Sequence, residues 1–140
     1  MKVLFASDGS ECAERAARYL ATALRKAIRN LRVTLFYVDP PMLDRVATAL
    51  GERRVAEIHR ENSDACLKGA RRRLKRSRVR FDEAYTTGNA AASIARHAKA
   101  GGYDLVLMGS HGRTALASVL VGSVTARVLA ECEVPVLVVH

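Results

Sequence analysis

Apolar residues along this chain follow two rhythms. Short unbroken runs occur at Val3–Ala6, within Leu31–Val38, at Leu105–Met108 and at Val136–Val139. Such runs read as strands buried on both faces. Between them, apolar residues recur at helical spacing. Ala13, Ala16, Ala17, Leu20, Ala21, Leu24 and Ile28 predict a first helix. Asp8-Gly9-Ser10 breaks the strand before it, Ser10 is a good N-cap, and Glu11 and Glu14 suit the first turn. Asn30 is a candidate left-handed stop. After Asp39-Pro40-Pro41, a helical stretch runs from about Met42 to Arg76, weakened near Gly51, with Val55, Ile58, Ala65 and Leu74 facing inward. Val79–Tyr85 is a less apolar third strand. Gly88-Asn89 caps a further helix carrying Ala91, Ile94, Ala95 and Ala98, and Gly101-Gly102 ends it. A last helix runs from about Val124 to Glu131, with Ser123 as its cap.

Every strand-to-strand connection carries a helix, so the strands are expected to be parallel with right-handed crossovers. The fold class is therefore a three-layer α/β/α, doubly wound sheet of five parallel strands, and residues 1–140 form one domain. Such sheets bind ligands beyond the carboxyl ends of their strands, where strand order reverses. The loop after the first strand lacks G-x-G-x-x-G, and no G-x-x-x-x-G-K-[ST] occurs anywhere, which removes the dinucleotide fingerprint and the P-loop. The loop after the fourth strand is the informative one: Gly109-Ser110-His111-Gly112, nine residues, then Gly122-Ser123. Glycines let a backbone turn its N–H groups inward, and a helix opening at Ser123 has free N–H groups, so the pair reads as a phosphate cradle. Hydroxyls at Ser123 and Thr125 add donors or a Mg²⁺ contact.

On these residues the chain resembles the universal stress protein family, in its ATP-binding subgroup. The signature G-x-x-G-x9-G-[ST] is matched without a gap, and the likeness extends over Val3–Ser10, Gly88–Ile94, Asp104–Gly109 and Pro135–Val139. The resemblance implies strand order 3-2-1-4-5, which sets Asp8 and Gly109 on either side of one crevice. It implies ATP, with Mg²⁺, as ligand. Asp8 then bonds the ribose, Val38 lines the adenine pocket, and Ala6, Met108 and Gly109 stand beside base and sugar. Gly112, Gly122, Ser123, Val124 and Thr125 match the positions that cradle the phosphates, and Arg113 either reaches the phosphates or is a surface charge. Ala6 and Ala90 depart from the family, which often has proline there. His111 lies in the cradle, where a solvated loop histidine is the simpler reading.

Charge adds a second theme. The chain carries a formal +9, of which residues 53–80 hold eleven Lys/Arg against three acids, a net +8, while the rest nets +1. A solvated helix face explains this patch. Its alternative is weak, non-specific, phosphate-directed nucleic-acid or anionic-surface contact, since no aromatic lies in 53–80. The cysteines, Cys12, Cys66 and Cys132, are odd in number and form no C-x-x-C pair, so reduced thiols are expected. Cys12 falls in a first helical turn, where a thiolate is favoured. Met1–Asp8 meets an acid too soon for a signal peptide, and no run reaches the roughly 20 residues of a membrane span. A cytoplasmic protein is the expectation. No catalytic set stands out, and the 109–125 loop has no carboxylate or glutamine to orient water. Binding, with at most slow hydrolysis, is the expectation. Strand 136–139 is apolar and lies at a sheet edge in the implied order, so pairing with a second copy in a homodimer is expected.

Overall fold

The computed structural model describes residues 1–112 and 121–140. Strands β1 (Lys2–Ala6), β2 (Arg32–Asp39), β3 (Phe81–Thr87), β4 (Leu105–Gly109) and β5 (Val136–Val139) form one parallel sheet in the order β3-β2-β1-β4-β5. Ala6, the last residue of β1, lies beside Phe36 on one side and Met108 on the other, while β2 continues three residues further to Asp39. Among the described residues, no helix is long and apolar enough to cross a membrane.

Alternate strand residues feed two cores, as the period of two requires. Val3, Phe5, Leu35 and Leu107 pack against Ala16, Leu20, Leu67 and Leu74 of the helices on one face. Leu4, Phe36, Val38, Val106 and Met108 pack against Ala91, Ile94 and Val128 on the other. The first face is covered by α1 (Glu11–Tyr19), a π-helical turn at Leu20–Leu24 and α4 (Glu52–Arg76); α2 (Arg25–Ala27) continues the first helix, and α3 (Asp44–Leu50) packs on α4 with no buried residue. The second is covered by α5 (Ala90–Ala100) and α6 (Ser123–Glu131). Ser10 caps α1 by accepting the Ala13 N–H at 3.2 Å, and Asn89 caps α5 by accepting the Ala92 N–H at 3.1 Å.

Several local expectations are corrected. Asn30 does not stop the first helix; Ile28, already extended at φ −113°, does. The turn at Leu20–Leu24 is widened, and inside it the Thr22 hydroxyl donates back to the Arg18 carbonyl at 2.8 Å. The helical stretch 42–76 is two helices, because Gly51 takes φ +79°, ψ 155° between them. Ala65 is exposed, and the buried stripe of α4 is Ser63, Cys66, Leu67, Ala70 and Leu74. Small residues at 63, 66 and 70 let this helix lie close to the sheet, a signal that large apolar side chains hide. The third strand starts at Phe81 rather than Val79, since Arg78 adopts φ 54° and the Val79 N–H still donates to the Leu74 carbonyl. The cap of α6 is Gly122, and Ser123 is its first residue.

Candidate functional site

After β1 the chain turns to α1 on one face of the sheet; after β4 it turns to α6 on the other. The two loops diverge and leave a crevice at their carboxyl ends. Ala6, Asp8, Val38, Met108, Gly109, Gly112, Val124 and Thr125, all singled out in the sequence, meet there. Its inner wall is apolar, and Phe36, Ala90 and Ile94 complete it. Phe36 is held in place by stacking on His97, with ring centroids 4.3 Å apart and planes 11° from parallel.

Asp8 serves two surfaces. Its Oδ1 accepts the Ser10 N–H at 3.0 Å, fixing the turn into α1, while Oδ2 occupies the space a side chain at Gly112 would need. The Ser10 hydroxyl in turn donates to the His111 carbonyl at 3.1 Å, tying the β1 loop to the β4 loop. Ser110 Oγ lies 3.0 Å from His111 Nδ1, and the Ser110 N–H donates to the Val139 carbonyl at 2.8 Å. The turn after β4 is thus anchored on three sides.

The motif glycines do their work by close packing. A Cβ at Gly109 would lie 2.6 Å from the Cys12 carbonyl carbon, one at Gly112 would lie 2.8 Å from Asp8 Oδ2, and one at Gly122 would lie 3.2 Å from the His111 Cα. Gly109 therefore admits the first turn of α1, and Gly122 closes the base of the loop, its N–H donating to the Ser110 carbonyl at 2.8 Å. Packing is thus one role of both glycines, and Gly109 also lines the crevice. Thr125 is buried and its hydroxyl donates to the Gly109 carbonyl at 3.0 Å, so that proton is committed to the protein. Ser123 stands on the outer rim, in a recess shared with Asn89, Ala90, Ala91, Val124 and Arg127. Arg113 lies outside the described residues.

The amino-terminus of α6 supplies the site's polarity. Gly122 has no side chain to cap the helix, and among the described residues no acceptor meets the N–H groups of Ser123, Val124 and Thr125. Three donors and the positive end of the helix dipole therefore face the mouth of a crevice that Val124 and Thr125 line. This end of the crevice suits an anion, and its apolar inner end suits a flat ring.

A buried polar group beside the crevice was not legible as a site. Asp39, at the end of β2, accepts from the Tyr37 hydroxyl (2.8 Å) and Asn62 Nδ2 (2.9 Å) and lies 2.6 Å from His59 Nδ1. Burial pushes its carboxyl up, but the hydrogen bonds from Asn62, His59 and Tyr37 together outweigh burial and hold it below the usual carboxylate value. Tyr37 is pushed well above the ordinary tyrosine value, by burial first and then by Asp39. In the sequence, Asp39 is only the acid before Pro40-Pro41; its partners come from α4, 20 and 23 residues on. Cys12 and Cys66 are buried and all three thiols are free, as expected. Cys12 Sγ accepts from Arg15 Nη2 at 2.8 Å.

The sequence and the architecture have counterparts among known proteins. Universal stress protein MJ0577 of Methanocaldococcus jannaschii is 28% identical over 156 aligned residues, covering 99% of this chain and 93% of its own. The solved structure of MJ0577 matches with a TM-score of 0.79, over 99% of this chain and 94% of that one, at 28% identity. Universal stress protein Slr1230 of Synechocystis sp. is 28% identical over 140 residues and 97% of this chain, which spans only 41% of that relative's length. A universal stress protein of Archaeoglobus fulgidus, solved in complex with dAMP, shares the fold at a TM-score of 0.70 and 18% identity, over 100% of this chain and 98% of its own. The model of the universal stress protein family matches residues 1–140. By sequence match, sheet order and crevice together, the chain belongs to the universal stress protein family.

Proposed function

We propose that this chain binds an adenine nucleotide, ATP with Mg²⁺, in the crevice between β1 and β4, and acts in the cytoplasm as a nucleotide-dependent regulatory module of the stress response. The observation that carries the reading is the uncapped amino-terminus of α6, where three backbone donors meet no acceptor among the described residues. Phosphate oxygens complement such donors without any lysine. Asp8 Oδ2 faces the same space and is the natural acceptor for ribose hydroxyls. Ala6, Val38, Ala90, Ile94 and Met108 offer an apolar slot for adenine. The hydroxyls of Ser123, on the outer rim, and of Thr125, whose oxygen lone pairs stay free while its O–H donates to the Gly109 carbonyl, are the Mg²⁺ contacts this reading offers. The Archaeoglobus fulgidus relative's complex with dAMP supports the same class of ligand.

The crevice has about 100 Å³ of room, below the roughly 300–1,000 Å³ of a pocket for a drug-sized ligand. Binding therefore requires the crevice to widen, and this movement links occupancy to the shape of the surface that other proteins meet. Strand β5, half-exposed along its length at the sheet edge, supports pairing with a second copy. Calorimetric titration with ATP and Mg²⁺ tests the reading: a dissociation constant of order micromolar is expected, and no heat at millimolar nucleotide would overturn it.

A further inference from the structure

The segment that carries most of the chain's positive charge is not one patch in space. Arg53 and Arg54 pair with Glu57 and Glu61 on the same helix, at 3.1 to 3.5 Å. Arg71 pairs with Asp64 at 3.0 Å and with Glu83 at 2.6 Å. Beyond these the picture changes. Arg72, Lys75, Arg76, Arg78 and Arg80, at and after the end of α4, have no acidic partner among the described residues. Two of them meet a second basic group remote in sequence. Arg25 and Arg29, from the end of the first helix, and Arg32, from the start of β2, join Arg78 and Arg80 around one groove of 660 Å³. The rest of its lining is apolar or amide, and no carboxylate is present. Arg25, Arg29 and Arg32 likewise have no acidic partner among the described residues.

Five guanidinium groups gathered in one concavity repel one another, and no carboxylate among the described residues neutralises them. The groove is built rather than incidental. Arg78 holds φ 54°, a left-handed conformation that glycine or asparagine adopts at lower cost, and hydrogen bonds to the Lys75 and Leu74 carbonyls close the turn around it. Guanidinium forks match phosphate oxygens in pairs. A single phosphate would engage few of the five, and Arg72 and Arg76, in a recess where Glu14 pairs with Arg73 at 3.8 Å, add two further cations at the end of α4. A polymer of phosphates fits this extent. No aromatic lines the groove, so bases would be neither stacked nor read. A membrane surface would call for apolar residues to insert; the exposed Leu43, Val46 and Leu50 stand on or beside α3, after the carboxyl end of β2, whereas the groove lies at the amino end.

We infer that the arginine groove at the amino ends of β2 and β3 binds the phosphate backbone of nucleic acid without regard to base sequence. It lies at the opposite end of the sheet from the crevice, so the two sites can be filled together. The test is fluorescence anisotropy with the full chain and a labelled 25-base-pair duplex of scrambled sequence, between 50 and 200 mM NaCl. Five phosphate contacts give a slope of log affinity against log salt of roughly −4.5. The triple variant Arg29→Ala, Arg32→Ala, Arg80→Ala should bind at least about 30-fold more weakly at 50 mM, with the slope reduced by roughly 2.7. The control Arg53→Ala, Arg54→Ala, Arg60→Ala removes the same charge from α4 and should change binding less than about threefold. Arg78→Gly supplies a second variant that relieves the backbone conformation, so it should fold at least as well and still bind several-fold more weakly. Equal losses in the two triple variants, no binding by the wild type at 50 mM, or binding to vesicles containing phosphatidylserine without binding to the duplex would overturn the inference.

Discussion

Gly109→Ala places one methyl group at the tightest point between β4 and α1. Built on this backbone, the new Cβ would lie 2.6 Å from the Cys12 carbonyl carbon, 2.7 Å from the Cys12 Cβ and 2.8 Å from the Ala13 nitrogen. Two of these atoms are backbone, so no change of rotamer relieves the contact, and the first turn of α1 must move. Overpacking by one methylene costs about 1–3 kcal/mol, and a backbone obstacle belongs in the upper part of that range, about 2–3 kcal/mol. At about 2.1 cal/mol/K per residue, a chain of 140 residues has an unfolding entropy of about 0.3 kcal/mol/K. The melting temperature should then fall by about 7–10 °C. Gly112→Ala is the internal control. Among the described residues its Cβ would meet Asp8 Oδ2, the far end of a flexible side chain, so a loss under about 1 kcal/mol is expected. Circular dichroism melts and urea titrations of the three proteins measure this directly. A Gly109→Ala protein that melts within 1 °C of wild type would refute the packing role of this glycine.

Thr125→Val keeps the shape of a buried side chain and deletes the hydrogen bond to the Gly109 carbonyl, so a loss of about 1–2 kcal/mol is expected in the same urea titration. Acid should weaken the fold in two stages. His97, lowered from 6.5 by burial and then by Lys2, and Asp39, lowered from 3.8, both bind fewer protons folded than unfolded. Their contributions are complete above the unfolded values and are lost as pH falls through the folded ones. The urea midpoint should begin to decline below pH 6.5 and decline further below pH 3.8. His97→Phe should remove the first stage and Asp39→Asn the second; a midpoint that rises between pH 7 and pH 5 contradicts the assignment.

The sheet was legible because its strands are apolar on both faces and its turns carry plain signals, such as Asp8-Gly9-Ser10. The crevice was legible because spacing alone joins Gly109, Gly112 and Gly122, and strand order then brings Asp8 to the same place. What the individual glycines do was not legible. Sequence shows that a side chain is missing, but only geometry shows that Cys12 fills the space beside Gly109 and His111 the space beside Gly122. The Asp39 group was hidden for a related reason: a buried carboxylate looks like any turn acid until His59 and Asn62 are seen to reach it from another element. Basic residues 53–80 were misleading as a unit. Residues four apart on α4 neutralise one another, whereas Arg78 and Arg80 belong with Arg25, Arg29 and Arg32.

The account rests on the backbone donors that open α6. The most direct measurement is the amide spectrum of ¹⁵N-labelled protein titrated with ATP and Mg²⁺. The largest shifts should fall on the N–H groups of Ser123, Val124 and Thr125, with a further shift at Gly112, which lines the crevice. Saturable ATP binding that leaves those four amides unmoved would contradict the proposed site.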